Sequence, residues 1–129
     1  MAIMNTLQRL VENLRQDEYI RTRLETGYSP TEFGGDGAEF AVLELPSCKF
    51  QILPYTEYDF RLRITFDDGR SYFSGETWVP TENAAIQDKA LAKGIRALLK
   101  AATEDASNLV DGGLETTIGY VYFDPEPGR

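Results

Sequence analysis

Residues 58–67 alternate without interruption: Tyr58, Phe60, Leu62, Ile64 and Phe66 are apolar, while Asp59, Arg61, Arg63, Thr65 and Asp67 are polar. A period of two marks a β-strand with one buried and one wet face, and ten residues of it commit this chain to a sheet. Asp68-Gly69 follows. This pair suits a two-residue type I′ hairpin turn, in which both central residues need positive φ. Residues 71–79 then return antiparallel.

That turn sets a register. Asp67 pairs with Arg70, so Ile64 faces Phe73, Phe60 faces Thr77 and Tyr58 faces Val79 on the inner side. On the outer side Arg61 meets Glu76, Arg63 meets Ser74, Thr65 meets Tyr72 and Asp59 meets Trp78. A slip of one residue would set Arg63 opposite Phe73 and mix apolar with charged positions. Tyr72 and Trp78 are therefore expected among Asp59, Arg61, Arg63 and Glu76. Tyrosine, tryptophan and arginine are enriched in interface hot spots, which makes these six residues the candidate binding face. The competing expectation is an ordinary cross-strand surface, or one covered by a helix.

Helices flank the strands. Leu7, Leu10, Val11 and Leu14 recur at i, i+3, i+4 and i+7, and Ile20 and Leu24 extend the apolar spacing. The pattern predicts one helix over residues 5–26, capped by Asn5 or Thr6 and stopped by Gly27 and Pro30. Residues 27–37 read as a loop. Within it, Gly34-Gly35-Asp36-Gly37 lacks the setting of a phosphate cradle and is expected to be a connector. Residues 38–45 and 50–53 are further strands, ended by Pro46 and Pro54.

Thr81 and Glu82 open a second helix, to about residue 103. It carries three stripes: apolar Leu91, Ile95, Leu98 and Ala102; small Ala90, Gly94, Ala97 and Ala101; basic Lys89, Lys93, Arg96 and Lys100. The apolar stripe should pack on the sheet, and the small one lets a neighbouring backbone come close. Residues 105–113 read as a loop, 116–123 as a last strand and 124–129 as a fraying tail. The expected fold is one α+β domain over residues 1–129: an antiparallel sheet of about five strands in the order α-ββββ-α-β, with two helices packed on one face.

Composition narrows function mainly by exclusion. The 129 residues contain no histidine and one cysteine. Imidazole-based acid/base and nucleophilic catalysis and the common zinc sites are therefore absent, and no metal or cofactor is expected. Cys48 reads as a small apolar residue near a turn, and Asp67-Asp68-Gly69 as a hairpin tip rather than a carboxylate site. A single cysteine fits a reducing compartment. No apolar run approaches the ~20 residues of a membrane span, and no basic-then-apolar leader opens the chain, so a cytoplasmic protein without a membrane partner is expected.

Thirteen basic against 21 acidic side chains give a net charge of −8. The acid is concentrated: residues 31–60 hold six acidic and one basic side chain, and so do residues 104–129. Direct nucleic-acid binding, which needs a basic footprint, is not expected. An acidic surface instead steers a partner with a basic surface. The leading expectation is thus a small non-enzymatic protein that binds another protein, as an inhibitor, an immunity or anti-defence factor, or a secretion chaperone would. A small-molecule-binding domain or carboxylate-based enzyme using the sheet–helix cleft is the second reading. The third is a subunit of a phage or secretion assembly that self-associates through a sheet edge, a homodimer included.

Overall fold

The computed structural model describes residues 2–29, 35–55, 59–78, 84–105 and 107–125. Helix α1 (Ala2–Leu14) forms on the expected stripe, with Leu7, Leu10, Val11 and Leu14 all buried. It starts before Asn5 and Thr6, so neither is its cap, and it ends well before residue 26. Arg15 N–H makes the last i−4 bond, to Val11, after which Gln16 and Asp17 bond three residues back. Such tightening closes a helix. Residues 21–29 then form strand β1 (Arg21–Ser29). The apolar spacing at Ile20 and Leu24 coincides with a stronger period of two: Thr22, Leu24, Thr26 and Tyr28 share one side, Arg21, Arg23 and Glu25 the other.

Strand β2 (Gly35–Glu44) pairs with β1 from Arg21↔Glu44 to Gly27↔Ala38. The loop expected over 27–37 is thereby largely replaced by strand, its residues 30–34 lying outside the described residues. Gly37 takes φ +75 inside β2, a conformation suited to glycine. Strands β3 (Cys48–Pro54), β4 (Asp59–Phe66) and β5 (Ser71–Trp78) continue the meander.

The β4–β5 register departs from the expected one at the turn. Gly69 N–H donates to Phe66 C=O at 2.9 Å, and Phe66 N–H donates to Arg70 C=O at 2.9 Å. The loop therefore has three residues, Asp67, Asp68 and Gly69. Only Gly69 has positive φ, at +91. A type I turn followed by a left-handed glycine is the other common short hairpin, and it spares Asp68 the positive φ that type I′ demands. The cost is one residue of register. Thr65 pairs with Ser71, Ile64 with Tyr72 and Arg63 with Phe73. A bulge then restores the expected pairs Arg61↔Glu76, Phe60↔Thr77 and Asp59↔Trp78. At the bulge the buried Ser74 hydroxyl accepts from Leu62 N–H at 2.9 Å and donates to Gly75 C=O at 2.8 Å, standing in for the interrupted ladder. The expected Tyr58–Val79 pair lies outside the described residues.

After β5 comes α2 (Ala84–Asp105); its expected cap, Thr81, lies outside the described residues. Short helix α3 (Ser107–Asp111) replaces the expected loop, and the single last strand becomes β6 (Leu114–Thr116), β7 (Gly119–Val121) and β8 (Phe123–Pro125). Asp124 and Pro125 thus belong to the sheet, and the rest of the tail lies outside the described residues. The main sheet has six strands in the order β1-β2-β3-β4-β5-β8, and β6 and β7 pair separately. The α+β antiparallel architecture is as expected, with one more strand in the sheet and one more helix.

The helices share the inner face. Leu91, Ile95, Leu98 and Ala102 of α2 are buried in one cluster with Leu7 and Leu14 of α1 and with Phe50, Ile52, Phe60, Leu62 and Ile64 of the sheet. Arg9 bonds Asp88 at 2.8 Å, and Arg96 bonds Asp17 at 2.8 Å. Both pairs span the same sequence separation, so α1 and α2 run parallel. The small stripe receives the β6–β7 hairpin: Thr117 Oγ1 donates to Ala90 C=O at 2.6 Å, and a Cβ at Gly94 would lie 2.9 Å from Ile118 Cγ1.

Candidate functional site

The outer face of the sheet is not simply wet. Phe40, Val42 and Leu53 are buried at 5%, 1% and 0% exposure and form a second cluster, against which Phe73 packs. No described helix contributes to it. The register explains its membership: the three-residue turn moves Phe73 from the inner to the outer side, next to the outward residues of β2 and β3.

Arg61 and Arg63 converge on that phenylalanine, their guanidinium carbons 4.9 and 5.8 Å from its ring centroid. Guanidinium over an aromatic face is a favourable cation–π arrangement. Arg61 Nε also donates to Ser74 C=O at 3.1 Å, and Arg63 Nη1 to Gln51 Oε1 at 3.2 Å. Both side chains are half-buried. Each guanidinium is thus aimed by a hydrogen bond and supported by a ring.

Of the six residues expected on this face, Asp59, Arg61 and Arg63 are on the outer side of β4. Glu76 and Trp78 are placed opposite Arg61 and Asp59 by backbone pairing alone. Tyr72 is not with them. The one-residue shift turns it inward opposite Ile64, where it meets Phe66 edge-on with centroids 5.7 Å apart. Phe73 takes the place opposite Arg63 that Ser74 was expected to fill, and Ser71 the place opposite Thr65 that was expected of Tyr72. Phe40, Val42, Gln51 and Leu53 are members of this face that the reading missed. Their signal was the unbroken apolar run of residues 40–43 and the adjacent apolar pair Ile52-Leu53, since a strand that is apolar on both sides is covered on both sides.

Toward β1 the outer face becomes ionic. Arg23 donates to Glu25 and Glu44, with N–O distances of 2.8 and 3.0 Å. The bond to Arg23 holds the Glu44 carboxyl below the ordinary carboxylate range, and the same contact raises Arg23. Around the rim, Glu18, Tyr19, Arg21, Glu44, Leu45 and Pro46 line an open cleft of about 290 Å³. The space between sheet and helices, where the second reading places a ligand, is packed with the inner cluster.

Other chemistry-bearing groups are committed elsewhere. Cys48 is buried at 3% exposure, and burial pushes its thiol pKa up, away from the reactive thiolate. The basic stripe of α2 is reduced by Arg96, which is tied to Asp17 and to Asn13 C=O; Lys89, Lys93 and Lys100 remain exposed. Among the described residues there is no group of three or more His, Cys, Asp or Glu side chains placed to hold a metal ion, and no helix is long and apolar enough to cross a membrane. Compared with protein-family models, with curated proteins and with solved structures, the chain matches none.

Proposed function

We propose that this protein works by binding another protein, without catalysing a reaction, and that the outer face around Phe73 is the docking surface. The observation that carries the reading is the convergence of Arg61 and Arg63 on Phe73, over an apolar patch to which no described helix contributes. An aromatic residue framed by pre-aimed arginines has the make-up of an interface hot spot, and the mixed charge of Asp59, Glu44 and Arg23 suits a polar rim. The net charge of −8 acts at longer range, favouring encounter with a partner whose surface is basic. The absence of histidine from the whole sequence supports the non-enzymatic part.

The test combines Arg63→Ala on β4 with Trp78→Ala on β5. Partner capture from the native host and unfolding are measured separately. A protein that unfolds near the wild-type midpoint yet no longer captures its partner is the expected result. Lost stability with capture intact would overturn the proposal, because it would make this face part of the framework.

A further inference from the structure

The two edges of the main sheet are unequal. β8 closes one edge with three residues, Phe123–Pro125, whereas β1 lines the other with nine, Arg21–Ser29. Among the described residues β1 pairs with β2 only. A long open edge presents a row of backbone donors and acceptors to any strand that fits it, and short edges are one way in which proteins avoid this. β1 also exposes apolar surface: Leu24 is 37% and Tyr28 66% accessible, both on the side of the strand that faces α1.

We propose that β1 pairs antiparallel with β1 of a second copy, about a two-fold axis at Leu24, so that two six-stranded sheets become one. The register follows from symmetry and charge. A two-fold axis normal to the sheet keeps every residue on its own side, so only centres that pair same-side residues are allowed. Centring on Leu24 sets Arg23 of each copy opposite Glu25 of the other, Thr22 opposite Thr26, and Leu24 against itself. Centring on Arg23 or on Glu25 opposes like charges at the axis. Cross-strand pairs of opposite charge stabilise and like pairs destabilise, so the sequence Arg23-Leu24-Glu25 favours the Leu24 centre.

The free chain is already arranged for the exchange. Arg23 holds both Glu25 and Glu44. In the pair it keeps Glu44 and takes Glu25 of the second copy in place of its own, and no charge is left without a partner. The contact is small, so association is weak and depends on concentration. This pairing is a separate contact from the outer-face docking centred on Phe73, and the two share only Arg23 and Glu44, at the rim of that face.

Light scattering across a concentration series tests it. The expected mass rises from 14.5 kDa toward twice that value. Arg23→Glu alone and Glu25→Arg alone should each remain at the single-chain mass, because each opposes like charges. An equimolar mixture of the two variants should recover the doubled mass, because their strands are then complementary. Arg23→Glu also loses the bond to Glu44, so a second variant keeps the test independent of folding. Leu24→Cys should form a disulfide across the axis under mild oxidation, since directly paired Cα atoms lie within disulfide reach, whereas Thr26→Cys should not. A mass fixed at 14.5 kDa up to ~1 mM would overturn the proposal. So would doubled mass in both charge variants, or cross-linking of Thr26→Cys as fast as of Leu24→Cys.

Discussion

Leu62 and Leu53 are both 0% exposed, yet they point to opposite sides of the sheet. Leu62 belongs to a cluster built from all three helices and most strands, whereas Leu53 shares a patch with Phe40, Val42 and Phe73. The inner face is closed by helices that bring their own apolar stripes. The outer face reaches similar burial by gathering residues from neighbouring strands and laying arginine stems and guanidiniums over the last of them. Burial alone therefore does not distinguish the helix-covered core from the face proposed for docking. What differs is the covering: packed helices on one side, polar side chains that can rearrange on the other.

Substitutions can sharpen or break that contrast. Ile95→Ala, at the centre of the inner face, should cost ~2–5 kcal/mol in urea unfolding. Leu53→Ala should cost less for the same burial, ~2–3 kcal/mol, because arginine stems relax into a gap more easily than helices do. A loss below about 0.5 kcal/mol at Leu53 would mean that the outer patch adds nothing to the framework. Equal losses at the two positions would erase the distinction between the coverings. Gly94→Ala tests the hairpin docked on α2. The new methyl group meets Ile118 Cγ1 at 2.9 Å and Thr117 Oγ1 at 3.1 Å, so a net loss of ~1–2 kcal/mol is expected despite the better helix propensity of alanine.

The smallest effect concerns pH. The folded-state pKa of Glu44 is lowered by Arg23, so its contribution is present above the ordinary carboxylate value of ~4.3 and lost as pH falls through the lowered folded value. Both side chains are more than a third exposed, so solvent screens the pair. The Tm difference between wild type and Glu44→Gln should therefore be slight at neutral pH and vanish in acid. A difference that grows on acidification would contradict the pairing.

The strand that alternates most strictly, β4, was legible, and so was the buried stripe of α2, because each depends on one periodicity in one segment. The register of β5 was not. Asp67-Asp68-Gly69 suits both a two-residue and a three-residue turn, and the choice depends on whether Asp68 accepts positive φ. One residue of difference is enough to exchange Tyr72 and Phe73 between the faces. For the same reason Arg61 and Arg63 were assigned to the correct side while the aromatic residue beneath them was misidentified. The end of α1 was hidden by coincidence, since Ile20 and Leu24 satisfy helical spacing although residues 21–29 alternate as a strand. The outer cluster draws on residues 40, 42, 53 and 73, and no single window of sequence contains that neighbourhood.

The two ion pairs between α1 and α2 have a consequence for orientation. Along the first helix and its following turn the base comes first, at Arg9, and the acid last, at Asp17; along the second the acid comes first, at Asp88, and the base last, at Arg96. Laid side by side in the same direction, the two segments attract at both ends. Reversed, Arg9 would confront Arg96 and Asp17 would confront Asp88, and the seam would repel at both ends. Partly exposed pairs of this kind add little to stability singly. Their polarity instead discriminates between two packings that the apolar stripes, being nearly symmetric end to end, would otherwise tolerate about equally.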